Sequence, residues 1–260
     1  EQKLVIKRFI QHLLSRLIKM NKERCKEYCY RDNRSKIKNI TKKIDKLKLV
    51  AFDMDGVLVD TISSWKYIHD YFKTDNERSV KEYIEGKIDD MEFIRRDASL
   101  WIENNKPIKE ERLLEILKDT KIMKGAHELI SKLKENNIKT AIVSAGLSVL
   151  ADSVGKKLGI ENIYSNGIKT DRKGYITCEG IIGVRLMYKD ETIKRISKEK
   201  NIPLENIASV GNSCFDIPMF EVSGLGIAFN PSDMCVKTAA DKVFIEKDLR
   251  KVYPYLEKHI

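Results

Sequence analysis

Four consecutive apolar residues, Leu49-Val50-Ala51-Phe52, run directly into Asp53-Met54-Asp55-Gly56-Val57. A short strand with no polar position must be covered on both faces, as a central strand of a parallel sheet is. Three later segments share that texture and also end in polar residues. Ile138-Lys139-Thr140-Ala141-Ile142-Val143 leads to Ser144, Ile207-Ala208-Ser209-Val210 leads to Gly211-Asn212, and Leu225-Gly226-Ile227-Ala228-Phe229 leads to Asn230-Pro231. Helical spacing fills 125–136 and 190–201 between them. Strands alternating with helices imply βαβ units and a parallel sheet. Gly174, between Ile168 and Ile176, predicts a small hairpin within 163–185. The expected class is α/β, a three-layer Rossmann-like sandwich, and 42% apolar residues suffice for its core.

Two segments break the alternation. Residues 61–120 are long and mostly helical, with Trp65, Ile68 and Phe72 on one stripe and Phe93, Ile94 and Trp101 on others. They are expected to form a small helical cap domain inserted after the first strand. Residues 1–48 are expected to form a helical N-terminal extension. Ile6, Ile10, Leu13, Leu14 and Leu17 give an amphipathic helix within 1–30, and 31–48 follow as a polar connector. The core domain then comprises 49–60 and 121–260.

The net charge of +10 belongs to the extension. Residues 1–48 carry 16 Lys/Arg against 5 Asp/Glu, whereas 49–260 carry 33 against 34. A neutral body does not read as a nucleic-acid binder. No run of 18 apolar residues suggests a membrane span. The stretch from Leu4 to Ile18 is broken by Lys7, Arg8 and Arg16 and has no small-residue cleavage site after it, so no secretory signal is expected. The apolar stripe of the extension is assigned to contact with its own body or with a second copy in a homo-oligomer, in preference to a membrane or nucleic acid. Five scattered cysteines, at 25, 29, 178, 214 and 235, argue against a disulfide framework and for a reducing compartment such as the cytoplasm.

Ligands of doubly wound sheets bind at the carboxyl ends of the strands. Here those ends bring Asp53 and Asp55, Ser144, and Asn212 with Asp216 just beyond, while Lys189 opens the helix before the 207–210 strand. Carboxylates and a carboxamide suit a hard cation such as Mg²⁺, and a hydroxyl and an ammonium suit phosphoryl oxygens. Two aspartates directed into one site can divide the work. One attacks phosphorus and the other moves the proton of the leaving oxygen and then of water.

These residues carry a family resemblance. Asp53-Met54-Asp55-Gly56-Val57 resembles motif I of the haloacid-dehalogenase superfamily, Ser144-Ala145-Gly146 its motif II, Lys189 its motif III, and Gly211-Asn212-Ser213-Cys214-Phe215-Asp216 its motif IV. Residues 144–169 and 216–229 are similar to phosphoserine-phosphatase-like members, particularly archaeal ones, and the resemblance runs over about 49–255. It implies that Asp53 is the nucleophile, Asp55 the general acid and base, and Ser144 and Lys189 the phosphoryl holders, with Gly56, Ala145 and Gly146 lining the substrate. It implies Mg²⁺ bound by Asp53, the main-chain carbonyl of Asp55 and residue 212, with Asp216 orienting Lys189 or a metal-bound water. The second aspartate favours phosphoryl transfer over dehalogenation. The implied activity is hydrolysis of a small phosphorylated metabolite in the cytoplasm.

Four positions depart from the family pattern. Motif IV begins Gly-Asn, so Asn212 removes one charge from the metal site, and Phe215 replaces the usual Asn before the last aspartate. Phosphoserine phosphatases place a Glu nine residues after the nucleophile, where this chain has Ile62. They use a cap arginine for the substrate carboxylate, where this chain has Asp97; Arg95 and Arg96 stand beside it as candidate substitutes. The expected substrate is therefore a phosphomonoester other than phosphoserine. The alternatives are phosphotransfer, as in mutase-like relatives, and a degenerate fold kept as a binding module.

Overall fold

The computed structural model describes residues 44 and 46–260. The amphipathic helix and basic connector expected over 1–48 lie outside the described residues, apart from the last few positions. The elements are β1 (Leu49–Phe52), α1 (Ser64–Phe72), α2 (Glu77–Ile84), α3 (Asp90–Ser99), β2 (Ile102–Glu103), β3 (Lys106–Pro107), α4 (Glu110–Leu117), α5 (Ala126–Glu135), β4 (Lys139–Leu147), α6 (Ser148–Leu158), β5 (Asn162–Thr170) and β6 (Ile176–Ile181). They continue as α7 (Lys189–Lys200), β7 (Ile207–Gly211), α8 (Ile217–Val222), β8 (Leu225–Phe229), α9 (Met234–Ala239), β9 (Lys242–Phe244) and α10 (Tyr253–Leu256).

Seven strands form one sheet in the order β6-β5-β4-β1-β7-β8-β9, parallel except for β6. β1 lies between β4 and β7, which explains its unbroken apolar run. Alternate side chains of a strand point to opposite faces. Val50 and Phe52 accordingly join the hydrophobic cluster that includes Leu129 and Leu133 of α5 and Leu150 and Val154 of α6. Leu49 and Ala51 join the opposite cluster, with Ile193 and Ile196 of α7, Phe220 of α8 and Val236 of α9. Helices thus cover both faces, giving the three layers expected. The hairpin expected around Gly174 is the antiparallel β5–β6 pair, with Gly174 at φ +81°.

Between β1 and β4 the chain forms α1 to α3, the β2–β3 hairpin and α4. The hairpin was not expected within a helical block. Ile68, Ile94, Ala98, Trp101 and Leu113 of this insertion belong to the same cluster as Val50 and Phe52, so its apolar side continues the core. α3 packs on β6, and α4 packs on α1 and α6. At the start of the described chain, the Leu47 N–H donates to the His259 carbonyl at 2.6 Å and the Lys48 N–H to that of Asn206 at 2.9 Å. No helix among the described residues is long and apolar enough to cross a membrane. Cys178 is a free thiol.

Candidate active site

The sheet grows in both directions from β1, so the carboxyl ends of β4, β1 and β7 meet where the chain reverses its winding, the usual ligand position in such sheets. The β4–β5 ladder is interrupted between Val143 and Leu147, the stretch that holds Ser144, Ala145 and Gly146. A cleft of about 940 Å³ opens between these strand ends and the insertion. Asp53, Asp55, Gly56, Ser144, Lys189 and Asn212 all line it, as do Ala145 and Gly146.

Asp53 follows β1, and its N–H donates to the Val210 carbonyl of β7 at 2.9 Å. Its Oδ1 accepts from the Met54 N–H at 2.8 Å and lies 3.0 Å from Lys189 Nζ. Lys189 also donates to Asp216 Oδ1 at 2.6 Å. Burial pushes Asp53 up to about 7, helped by repulsion from Asp216 and opposed by Lys189. Burial works against the charge of Lys189, but Asp216 and Asp53 outweigh it and hold the ammonium above its ordinary range. Two carboxylates thus share one buried cation.

Asp216 is fully buried, and both of its oxygens are engaged. Oδ1 holds Lys189, while Oδ2 accepts from the N–H groups of Asn212 and Ser213 at 2.8 and 2.9 Å. Its place is behind Lys189 and under the 211–213 loop, so it bears on the site through those partners. Burial raises Asp55 above the ordinary carboxylate range, and hydrogen bonds from Ser64 pull it back in part. Gly56 sits at φ +77°, in the left-handed region. A Cβ there would fall 2.0 Å from Asn212 Nδ2, so the glycine lets the amide close over the turn. The Asn212 carbonyl accepts from the Ser232 N–H at 2.8 Å.

Among the described residues no group of three or more His, Cys, Asp or Glu side chains is arranged to hold a metal. The ligands that the resemblance implies, the Asp53 carboxylate, the Asp55 carbonyl and the Asn212 amide oxygen, would offer oxygen donors only. That chemistry fits Mg²⁺, which needs few protein ligands because it keeps several waters.

The insertion closes the other side of the cleft with a polar group that sequence periodicity did not reveal. His69 Nε2 lies 3.2 Å from Asp97 Oδ2, and Asn76 Nδ2 donates to the same oxygen at 2.8 Å. His69 Nδ1 takes the Trp101 indole N–H at 3.5 Å and pairs with the Thr74 hydroxyl at 2.7 Å. His69 and Asn76 line the cleft, as do Ile62 and Phe215. Arg95 and Arg96 do not. Arg95 makes a two-pronged pair with Glu92, and Arg96 bridges Glu82 and Glu92.

Comparisons with known proteins follow the same lines. The family profile of haloacid dehalogenase-like hydrolases matches residues 47–224. Phosphoserine phosphatase of Methanocaldococcus jannaschii is 29% identical over 214 residues, spanning 82% of this chain and 99% of the relative. That of Archaeoglobus fulgidus is 30% identical over 210 residues, 78% of this chain and 58% of the longer relative. A solved phosphoserine phosphatase carrying an analogue of its phospho-aspartyl intermediate superposes with a TM-score of 0.68 at 29% identity, over 81% of this chain and 99% of that structure. With the motif residues gathered at one cleft, these matches place the chain among the haloacid dehalogenase-like hydrolases, as a phosphatase similar to the phosphoserine phosphatases.

Proposed function

We propose that this chain is a Mg²⁺-dependent phosphomonoester hydrolase that works through an aspartyl phosphate on a small phosphorylated metabolite other than phosphoserine. The observation that carries the reading is Asp53 and Asp55 side by side in one cleft, with the Lys189 ammonium on Asp53. An Asp53 oxygen attacks phosphorus, forming the O–P bond as the ester O–P bond breaks. Asp55 gives its proton to the departing oxygen. Asp55 then takes a proton from water, which attacks the same phosphorus, frees phosphate and restores Asp53. Lys189 and Ser144 hold the phosphoryl oxygens, and Asp216 keeps Lys189 charged and aimed. When bound by Asp53, the Asp55 carbonyl and Asn212, Mg²⁺ neutralises phosphoryl charge.

The case against phosphoserine rests on the far end of the cleft. Ile62 is 84% exposed and offers nothing to an ammonium. Asp97 is buried beneath His69 and Asn76, and both neighbouring arginines are held by glutamates. Lys66 and Lys247, which also line the cleft, pair with Asp70 and Asp60. Each charge-assisted bond lost to a zwitterion is worth about 1.5–3 kcal/mol. A panel of phosphomonoesters assayed for phosphate release with Mg²⁺ tests the reading. The expected result is turnover of several esters with phosphoserine among the poorest. A kcat/KM for phosphoserine well above all others overturns the substrate assignment, and transfer without free phosphate overturns the hydrolase assignment.

A further inference from the structure

Ser64 opens α1, nine residues beyond Asp55, and is completely buried. Its backbone N–H and its hydroxyl both donate to Asp55 Oδ2, each at 2.9 Å. The same hydroxyl accepts from the Leu147 N–H at 3.0 Å. A hydroxyl carries one proton, so the Leu147 donor occupies its acceptor side and leaves that proton for the carboxyl group. Gly146 provides the room. A Cβ there would lie 2.7 Å from both Asp55 Oδ2 and Ser64 Oγ. The other oxygen, Asp55 Oδ1, is buried and has no hydrogen-bond partner among the described residues. Asp55 is therefore gripped by one oxygen and has the other to spare.

We propose that Ser64 is the positioning residue of the proton donor, fixing Asp55 by Oδ2 so that Oδ1 delivers the proton to the leaving oxygen. This rests on Asp55 being the general acid. As the ester O–P bond breaks, the Oδ1 proton passes to the leaving oxygen, and the resulting carboxylate stays bound at Oδ2 by the two Ser64 donors. The donor's anchor belongs to the insertion, whereas the donor itself belongs to the loop after β1. The docked position of α1 is thereby built into the proton transfer.

The test compares kcat/KM for p-nitrophenyl phosphate, whose leaving group needs little protonation, with that for 2-glycerol phosphate, an alkyl ester that needs it fully. kcat/KM reports the steps up to leaving-group departure, so the later hydrolysis of the aspartyl phosphate does not enter. Ser64→Ala is expected to lower the alkyl value by about 10- to 100-fold, part of the roughly 10²–10⁴ of general acid catalysis, with a loss on the aryl ester at least tenfold smaller. Ser64→Thr, which keeps the hydroxyl, is expected to restore most of it. Ser64→Cys, of similar size but a weak donor, supplies the same readout should the alanine variant not fold. Asp55→Asn is measured alongside and is expected to show the same selectivity for the alkyl ester with a larger loss. Equal losses on both esters in Ser64→Ala, with Asp55→Asn selective, overturn the role of Ser64 alone. A non-selective Asp55→Asn overturns the assignment of the acid itself.

Discussion

Asp53 is under opposed demands. As nucleophile it must be ionised, yet burial and the neighbouring Asp216 resist its charge more than Lys189 favours it. Its folded pKa, about 7, is above the ordinary 3.8, so the folded protein holds this proton where the unfolded chain has lost it. For a carboxylate raised in this way, the cost to stability is absent below about pH 4, grows as pH rises and levels off above about 7. Asp53→Asn is therefore expected to abolish turnover, because an amide does not attack phosphorus, and to raise the Tm in EDTA by a few degrees at pH 8 and by almost nothing at pH 4. Thermal unfolding at the two pH values checks this, and an equal or lower Tm at pH 8 would refute it. Asn212 is the complementary case. Its amide offers an oxygen to a hard cation without the charge of a carboxylate. Asn212→Asp is expected to lower the Mg²⁺ concentration for half-maximal activity severalfold. An unchanged or higher value would show that residue 212 is not a ligand.

At the scale of elements, the first turn of α1 decides how the insertion meets the sheet. Ser64 holds Asp55, and the next residue, Trp65, donates its indole N–H to the Ala145 carbonyl at 2.9 Å. Adjacent helical residues thus fasten the loop after β1 and the end of β4 to one helix. Trp65→Phe keeps a six-membered aromatic ring and removes that donor together with the pyrrole part of the indole. One hydrogen bond is worth about 1 kcal/mol, so kcat/KM is expected to fall about fivefold on the best ester; a fall above 100-fold would mean that the ring itself touches substrate. None of this was legible beforehand, and the reason is physical. Buried parallel strands announce themselves as apolar runs, which is why β1, β7 and β8 could be placed and why Asp53, Ser144 and Asn212 could be grouped from strand ends alone. The insertion shows only helical periodicity, which says nothing about which polar side chain meets which. Ser64 reaches Asp55 across a turn, and His69 reaches Asp97 across 28 residues. Arg95 and Arg96 adjoin Asp97 in sequence, but successive residues on a helix are about 100° apart. Proximity in sequence therefore put them on other faces of α3, against glutamates. The two-residue strands β2 and β3 are too short to leave any periodic signal.

For the molecule as a whole, the remaining question is what the basic segment before residue 46 contributes. Every residue of the proposed chemistry lies between Asp53 and Asp216, and the anchor of Asp55 is at Ser64. The described chain is tied down at once, through Leu47 to the carbonyl of His259 and Lys48 to that of Asn206. Leu47 and Leu49 are fully buried, one in each of the two clusters. Both faces of the sheet are thus already engaged by residues 47–52. A chain beginning at Lys46 is therefore expected to fold and to keep its kcat/KM on the best ester. Ile6, Ile10, Leu13, Leu14 and Leu17 lie outside the described residues; the stripe expected from their spacing would require cover, and contact with the body or with a second copy would provide it without calling on the positive charge. Removing it is accordingly expected to show in oligomeric state or solubility rather than in chemistry, because association of apolar helix faces shifts assembly by mass action. Sedimentation and kcat/KM measured on the same preparation separate the two effects. A folded, monodisperse truncation that had lost activity would show that the segment completes the cleft, and the boundary at residue 48 would have to move.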